Sequence, residues 1–343
     1  MTEADHAINR EAHKPTWVAV LLLVSAVAFT LAGLAIGSGG LRNMEGLWTD
    51  PVAGQIVWQI RLPRTLGAWG AGALLALAGA VAQGLFRNPL ADPFLLGSAS
   101  GASFGVALAL ALFGASPLAT QWLVQLGLTG AAFAGAVGAV MLTLLLARGV
   151  QHTLRLLLCG VVVGVVLGAL SSLVMLVVPE VMQAMQSFLL GSTAFVGWSA
   201  CILMLLVWVF CMVLAWCLSP VLDALALGEA TAHSLGLPLV PMRMALVAAL
   251  ALATGTAVAQ TGLIAFVGLA APHLVRSVVK VTHAKLVLLS SLMGGALLMA
   301  ADLLARCLIA PQELPVGVLT AVLGGGYLLW LMHRGDSAIG GRA

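Results

Sequence analysis

The chain has 343 residues, of which 62% are hydrophobic and only 8% charged, with a formal net charge of +3. An average soluble domain carries about 25% charged residues, so this composition excludes a soluble globular protein, and basic residues this few and scattered exclude a nucleic-acid partner. Cys159, Cys201, Cys211, Cys217 and Cys307 all fall in apolar stretches without a C-x-x-C pair, which argues for small packing residues and against metal or disulfide chemistry.

Residues 1–16 mix Glu3, Asp5 and Glu11 with Arg10 and Lys14, and read as a retained cytoplasmic tail, not a signal peptide. The apolar runs that follow are long and lack strand alternation, so they are helices whose backbone groups bond internally. At about 20 residues per crossing, spans are predicted near 17–37, 62–85, 93–113, 121–147, 156–178, 195–218, 243–262, 266–279, 286–305 and 315–332. The fold class is all-α: a polytopic membrane domain over 17–333 with about ten transmembrane helices, followed by a cytoplasmic tail at 334–343. The eighth span is short and contains Pro272, so it is expected to be bent or partly inserted.

With ten spans and the N-terminus inside, Arg10, Lys14, Arg87, Arg148, Arg155, Arg243, Arg276, Lys280, Lys285, Arg334 and Arg342 are cytoplasmic, and Arg42, Arg61, Arg64 and Arg306 lie outside. The asymmetry obeys the positive-inside rule, and the reversed topology violates it. Small residues recur four apart at Gly33 and Gly37, at Ala68, Gly72, Ala76 and Ala80, at Gly97, Gly101 and Gly105, and at Gly160, Gly164 and Gly168. Such faces let helices approach closely, and for the last run the alternatives are packing within the subunit or a face bordering a subunit interface or pathway.

Between two uncharged spans lies an amphipathic island, 220–238. Pro220 suits a helix start, Leu222, Leu225 and Leu227 form an apolar stripe, Gly228 interrupts, and Glu229 opens a second short helix that Gly236 and Pro238 end. Such a segment is either an interfacial hairpin or a docking knob for a soluble partner. The second span opens with R-L-P-R-T-L from Arg61 and closes on the turn-rich Q-G-L-F-R-N-P-L-A-D-P from Gln83, where Asp92 is placed to cap the third span and Pro93 to take its first turn.

Together with G-L-I-A-F-V-G-L-A-A-P-H-L-V-R from Gly262 and E-L-P-V-G-V-L-T from Glu313, these strings resemble the FecCD-type (BtuC-like) permeases, the membrane subunits of bacterial ABC importers for siderophores, haem and vitamin B12. The resemblance runs from Arg61 to Leu331 in the expected order. It implies the type II ABC importer permease fold in the bacterial inner membrane, both termini cytoplasmic, and a pathway along the axis of a homodimer. Partners so implied are a second copy, two cytoplasmic ATPases, a periplasmic substrate-binding protein and membrane lipid. Leu222, Leu225, Gly228, Glu229, Ala230, Leu235 and Gly236 would form the ATPase-coupling segment, with the leucines filling the ATPase groove. Arg61, Arg64 and Arg306 would receive acidic residues of the binding protein, and Asn88, Leu90, Thr153 and Leu154 would form the cytoplasmic gate. Family members often carry a hydroxyl where this chain has Leu154. The cargo is limited to a bulky metal chelate or corrinoid, with haem or a ferric siderophore favoured over cobalamin.

None of the three lysines follows a glycine, so there is no G-x-x-x-x-G-K-[ST] phosphate loop. ATP and Mg belong to the partner ATPase, and no cofactor, metal or catalytic residue is expected in this chain. An ion-coupled secondary transporter is the alternative, but it needs ionisable groups near the midplane. The only acid well inside a span is Asp302, which has Arg306 one turn later as a helical ion pair toward the outer end. An intramembrane hydrolase lacks parts: Gly97-Ser98-Ala99-Ser100-Gly101 places Ala99 where a nucleophile elbow needs serine, and His273 stands alone.

Overall fold

A computed structural model describes residues 3–37, 40–41, 51–114, 122–150 and 153–339. Arg42 and Arg342 lie outside the described residues, as do the side chains of Arg10, Thr153 and Arg334. Helix α1 spans Glu3–Ala35, so the segment expected as a tail is helical from Glu3 and continuous with the first span. It ends in a two-residue ribbon, β1 (Ile36–Gly37) paired antiparallel with β2 (Gly40–Leu41). Then α2 (Pro51–Ile56) runs through a π-helical turn, Val57–Arg61, into α3 (Leu62–Leu85). Helices α4 (Ser98–Phe113), α5 (Trp122–Ala147), α6 (Thr153–Val177), α7 (Glu180–Leu190) and α8 (Trp198–Cys217) follow. The remainder comprises α9 (Ser219–Ala226), α10 (Glu229–Ser234), α11 (Leu239–Thr261), α12 (Val267–Val278), α13 (His283–Cys307) and α14 (Val316–Ile339).

Seven described helices are long and apolar enough to cross a membrane, and the shorter apolar stretches Ser98–Phe113 and Val316–Trp330 with the 12-residue α12 bring the candidate crossing elements to about ten. Each short element has a sequence cause. Asp92 accepts a hydrogen bond from the Phe94 N–H at 2.7 Å, but the helix it caps is a separate 3-10 turn, Pro93–Leu96. Gly97, at φ 82°, then breaks the chain before α4, which corrects the continuous third span expected from 93. The eighth crossing, α12, has 12 residues, about 18 Å at 1.5 Å per residue against a hydrocarbon core of about 30 Å. The non-helical strand 262–266 precedes it, with Ile264 buried. Its backbone is satisfied inside protein: the Leu263 N–H donates to the Phe188 carbonyl at 3.0 Å, and the Ser192 N–H to the Thr261 carbonyl at 2.8 Å. Irregular backbone at this depth is tolerated only where protein buries it. Helix α7 has no counterpart among the predicted spans; it is short, amphipathic and seated through Val181, Ala184 and Met185.

Helix α3 is the centre. Its span is 89% buried, against 11% for α1 and 17% for α6, whose apolar side chains face outward. It packs against α13, α11, α8 and α12, while α4, α5 and α6 form a second group. The contacts of α3 are made through glycine: a methyl group on Gly72 would collide with the carbonyl of Gly294 in α13, and one on Gly79 with the carbonyl of Gly268 in α12. Gly101 and Gly135 stand in the same reciprocal relation between α4 and α5. With lipid as apolar as leucine, such close approach and its dispersion contacts hold the bundle together. Gly79→Ala is expected to lower the melting temperature of the detergent-solubilised protein, because overpacking against an immovable backbone costs about 1–3 kcal/mol. Gly138→Ala, where nothing lies within 4 Å, is expected to leave it unchanged. Equal melting temperatures for the two variants would contradict this packing.

Candidate functional site

The ion pairs among the described residues lie at two ends of the bundle. At one end, the amphipathic island forms α9 and α10, separated at Gly228, whose φ of 115° suits glycine. Leu222 and Leu225 are 0% and 1% exposed, packed into the subunit's own core. This corrects the expectation that they fill a partner's groove. The outward apolar groups are Leu227 and Leu235, at 72% and 60% exposed, joined by the exposed Ala230 and Gly236. The stripe turns inward because residues 221, 222, 224 and 225 share the face that α9 lays on α3 and α13. Glu229 pairs with Arg243 of α11 at 2.8 Å, and Arg243 also donates to the Val150 carbonyl at 3.3 Å. Asp223 accepts from the His283 backbone N–H at 3.0 Å and meets its Nδ1 at 2.6 Å.

Beside this surface lies the loop after α3. Asn88 accepts the Leu90 N–H on its Oδ1 at 2.9 Å, an Asx turn that leaves Leu90 50% exposed. Burial raises the Asp92 carboxyl above the usual carboxylate range, and its bond from Phe94 pulls the other way. Leu154, in the first turn of α6, is 71% exposed. Behind the loop, Arg276 donates to the Gln83 side chain, which donates to the Leu269 carbonyl at 3.3 Å, tying α12 to the end of α3.

At the opposite end, Arg64, Asp302, Arg306 and Glu313 form one cluster. Arg64 binds Asp302 at 2.9 Å and Glu313 at 2.8 Å; Arg306 binds Asp302, one turn earlier on α13; and Thr193 donates to Asp302 at 2.6 Å. Asp302 and Arg306 are 1% and 2% exposed. Two cations and two anions leave the cluster without net charge. Arg64 and Arg306 are therefore not an open cationic patch: in the single subunit both guanidinium groups already have carboxylate partners. The expected helical pair Asp302–Arg306 is present, and Arg64 joins it because α3 and α13 are packed glycine to glycine. Arg61 donates to the Leu34 carbonyl at 2.7 Å and Arg306 to that of Gly33 at 3.3 Å, at the partly negative end of α1.

The glycines of α6 divide. A methyl group on Gly160 would strike the carbonyl of Leu95, so Gly160 serves packing within the subunit. A methyl group on Gly164 would sit at ordinary contact distance, 3.6 Å, from Ser100 Oγ, and Gly168 faces open space. A cavity of about 410 Å³ lies elsewhere, between α5, α7, α8 and α11, lined by Leu128, Ser187, Phe195, Leu203 and Gln260 among others.

A bundle of this kind, with half-length and broken crossings, is a polytopic membrane domain. Residues 17–334 match the FecCD transport family. The chain is 40% identical, over 92% of its length and 94% of the relative's, to the vitamin B12 import system permease protein BtuC of Escherichia coli O127:H6, and 39% identical over the same shares to that of Escherichia coli O157:H7. Among solved structures it is similar to an inward-facing one described as a metal-chelate type ABC transporter, with TM-score 0.81, 31% identity and coverage of 93% and 98% of the two chains. A second, PsaBC from Streptococcus pneumoniae in complex with Fab, at TM-score 0.56 and 18% identity, shares the fold over 83% and 92%. The chain belongs to the FecCD transport family and is a permease subunit of an ABC importer of that type.

Removing one partner of a buried pair strands the other, at a cost of about 3–5 kcal/mol, whereas removing both is far milder. Asp302→Asn is accordingly expected to lower the melting temperature in detergent sharply, and Asp302→Asn with Arg306→Gln to lower it less. A double variant that loses the sum of the two single effects would contradict the buried pairing.

Proposed function

We propose that this permease works as a homodimer that carries cobalamin, or a close corrinoid, from periplasm to cytoplasm. Two cytoplasmic ATPases supply the energy and a periplasmic binding protein delivers the cargo. The observation that carries the cargo assignment is 40% identity to a vitamin B12 permease over nearly the full length of both chains. It displaces the preference for haem or a siderophore, which rested on family membership and no residue of this chain. The second reading, another metal chelate, is favoured by the metal-chelate type neighbour at 31% identity. Both are bulky planar or globular solutes that need a wide path between subunits.

Orientation follows from charge. Arg87, Arg148, Arg155, Arg243, Arg276, Lys280 and Lys285 fall at the end that carries α9 and α10, and this excess of cations supports reading that end as cytoplasmic. There Leu227, Ala230, Leu235 and Gly236 present the apolar surface for the ATPase, with Gly228 supplying the bend and Glu229 fixing α10. Asn88 and Leu90 with Thr153 and Leu154 form the gate, and an exposed leucine on each side favours closure by apolar contact. The side of α6 at Gly168, which faces open space, supplies pathway or subunit interface, whereas Gly164 lies toward Ser100 and Gly97 of the same subunit. On the outer face, an acidic group of the binding protein reaches Arg64 only by displacing Glu313.

The test is uptake by proteoliposomes holding the permease, its ATPase and its binding protein, with labelled cobalamin, haem and a ferric siderophore offered separately. ATP-dependent accumulation of cobalamin alone is the expected result. Accumulation of haem or the siderophore without cobalamin would replace the corrinoid with the metal-chelate reading.

A further inference from the structure

The surface assigned to the ATPase is tied to the body of the subunit by two polar linkages, and they lead to different loops. In the first, Asp223 of α9 holds the first residue of α13: its Oδ1 accepts the His283 N–H at 3.0 Å and meets Nδ1 at 2.6 Å. No side chain of Thr282 caps that helix start, so a carboxylate from another helix satisfies one of its orphan donors. The His283 ring lies over Gly84, where an added methyl group would sit 3.1 Å from it, one turn before the loop that presents Asn88 and Leu90. In the second, Glu229 of α10 binds Arg243 of α11 at 2.8 Å, and Arg243 reaches across to the Val150 carbonyl at 3.3 Å, just before Thr153 and Leu154.

We propose that Asp223 and Arg243 are positioning residues that carry displacement of α9 and α10 to the two loops framing the inner mouth, one loop each. The proposal rests on the reading of α9 and α10 as the ATPase-docking segment. Apolar contacts such as those of Leu222 and Leu225 hold α9 in place but let it slide, whereas short charge-assisted hydrogen bonds fix direction and distance. A movement of α10 alone would then reach the turn at Val150, and a movement of α9 the end of α3.

The experiment measures cargo taken up per ATP hydrolysed in the full transporter, with labelled cobalamin as probe, or haem if the unaltered protein carries only haem. Co-purification gives the ATPase content of each variant. Asp223 is 41% exposed in its side chain, so Asp223→Ala is expected to fold and keep the ATPase. Its uptake per ATP is expected to fall about fivefold or more, the lower end of ordinary coupling between sites. Asp223→Asn keeps an oxygen that accepts the His283 N–H, and is expected to recover most of the loss, which a general loss of packing would not allow. Arg243→Gln should uncouple similarly. Unchanged uptake per ATP in Asp223→Ala and Arg243→Gln would overturn the proposal, as would loss of the ATPase from Asp223→Ala, which would make that residue part of the docking surface. Leu227→Asp separates the two levels: it is expected to lose the ATPase, and retention of the ATPase at full ratio would overturn the docking reading and the transmission with it.

Discussion

Close contact between the backbones of α3 and its neighbours is the constraint on which the subunit depends. Gly72 against Gly294 and Gly79 against Gly268 bring three helices within reach of a carbonyl oxygen, a distance no side chain allows. Lipid offers no hydrophobic gain for pairing apolar helices, so the gain must come from packing density at such points. Both functional ends follow from it. Outward, the approach of α3 to α13 places Arg64 beside Asp302. Inward, the same helices leave Gly84 under the His283 ring, with α9 laid across them.

The ion pairs among the described residues are accordingly confined to the ends. The outer cluster is fully neutralised, and its worth lies in geometry: a carboxylate that serves Arg64, Arg306 and Thr193 at once fixes α3, α13 and the 191–197 segment relative to one another. The contacts at the other end are partly exposed, as suits elements that move when a partner does. Glu229 and Asp223, at 38% and 41% side-chain exposure, belong to that class, whereas Asp302 at 1% does not.

Much of the fold was legible in the sequence, because bilayer thickness imposes long apolar runs. The spans, the shortened eighth crossing at Pro272 and the two-helix island at Gly228 all have local signals. What local signals cannot supply is the direction a side chain faces. Leu222, Leu225 and Leu227 are one stripe on paper, but only the structure shows that the first two meet the core and the third does not. Arg64 and Glu313 are 249 residues apart, and their pairing follows from tertiary packing alone. Helix α7 escaped because 11 residues of mixed polarity resemble a loop when spans are sought by length. The helix pair Asp302–Arg306, four residues apart, was visible for the opposite reason.

The central claim is that the face formed by α9 and α10 is where ATP-driven work enters the subunit. Amide hydrogen exchange of the permease dimer in detergent, with and without its ATPase, tests it most directly, since a docked surface loses solvent contact. The account predicts slowed exchange across 226–238 on ATPase binding, with the outer 308–315 loop unchanged. Protection elsewhere on the cytoplasmic face, with 226–238 exchanging as fast as in the isolated dimer, would contradict it.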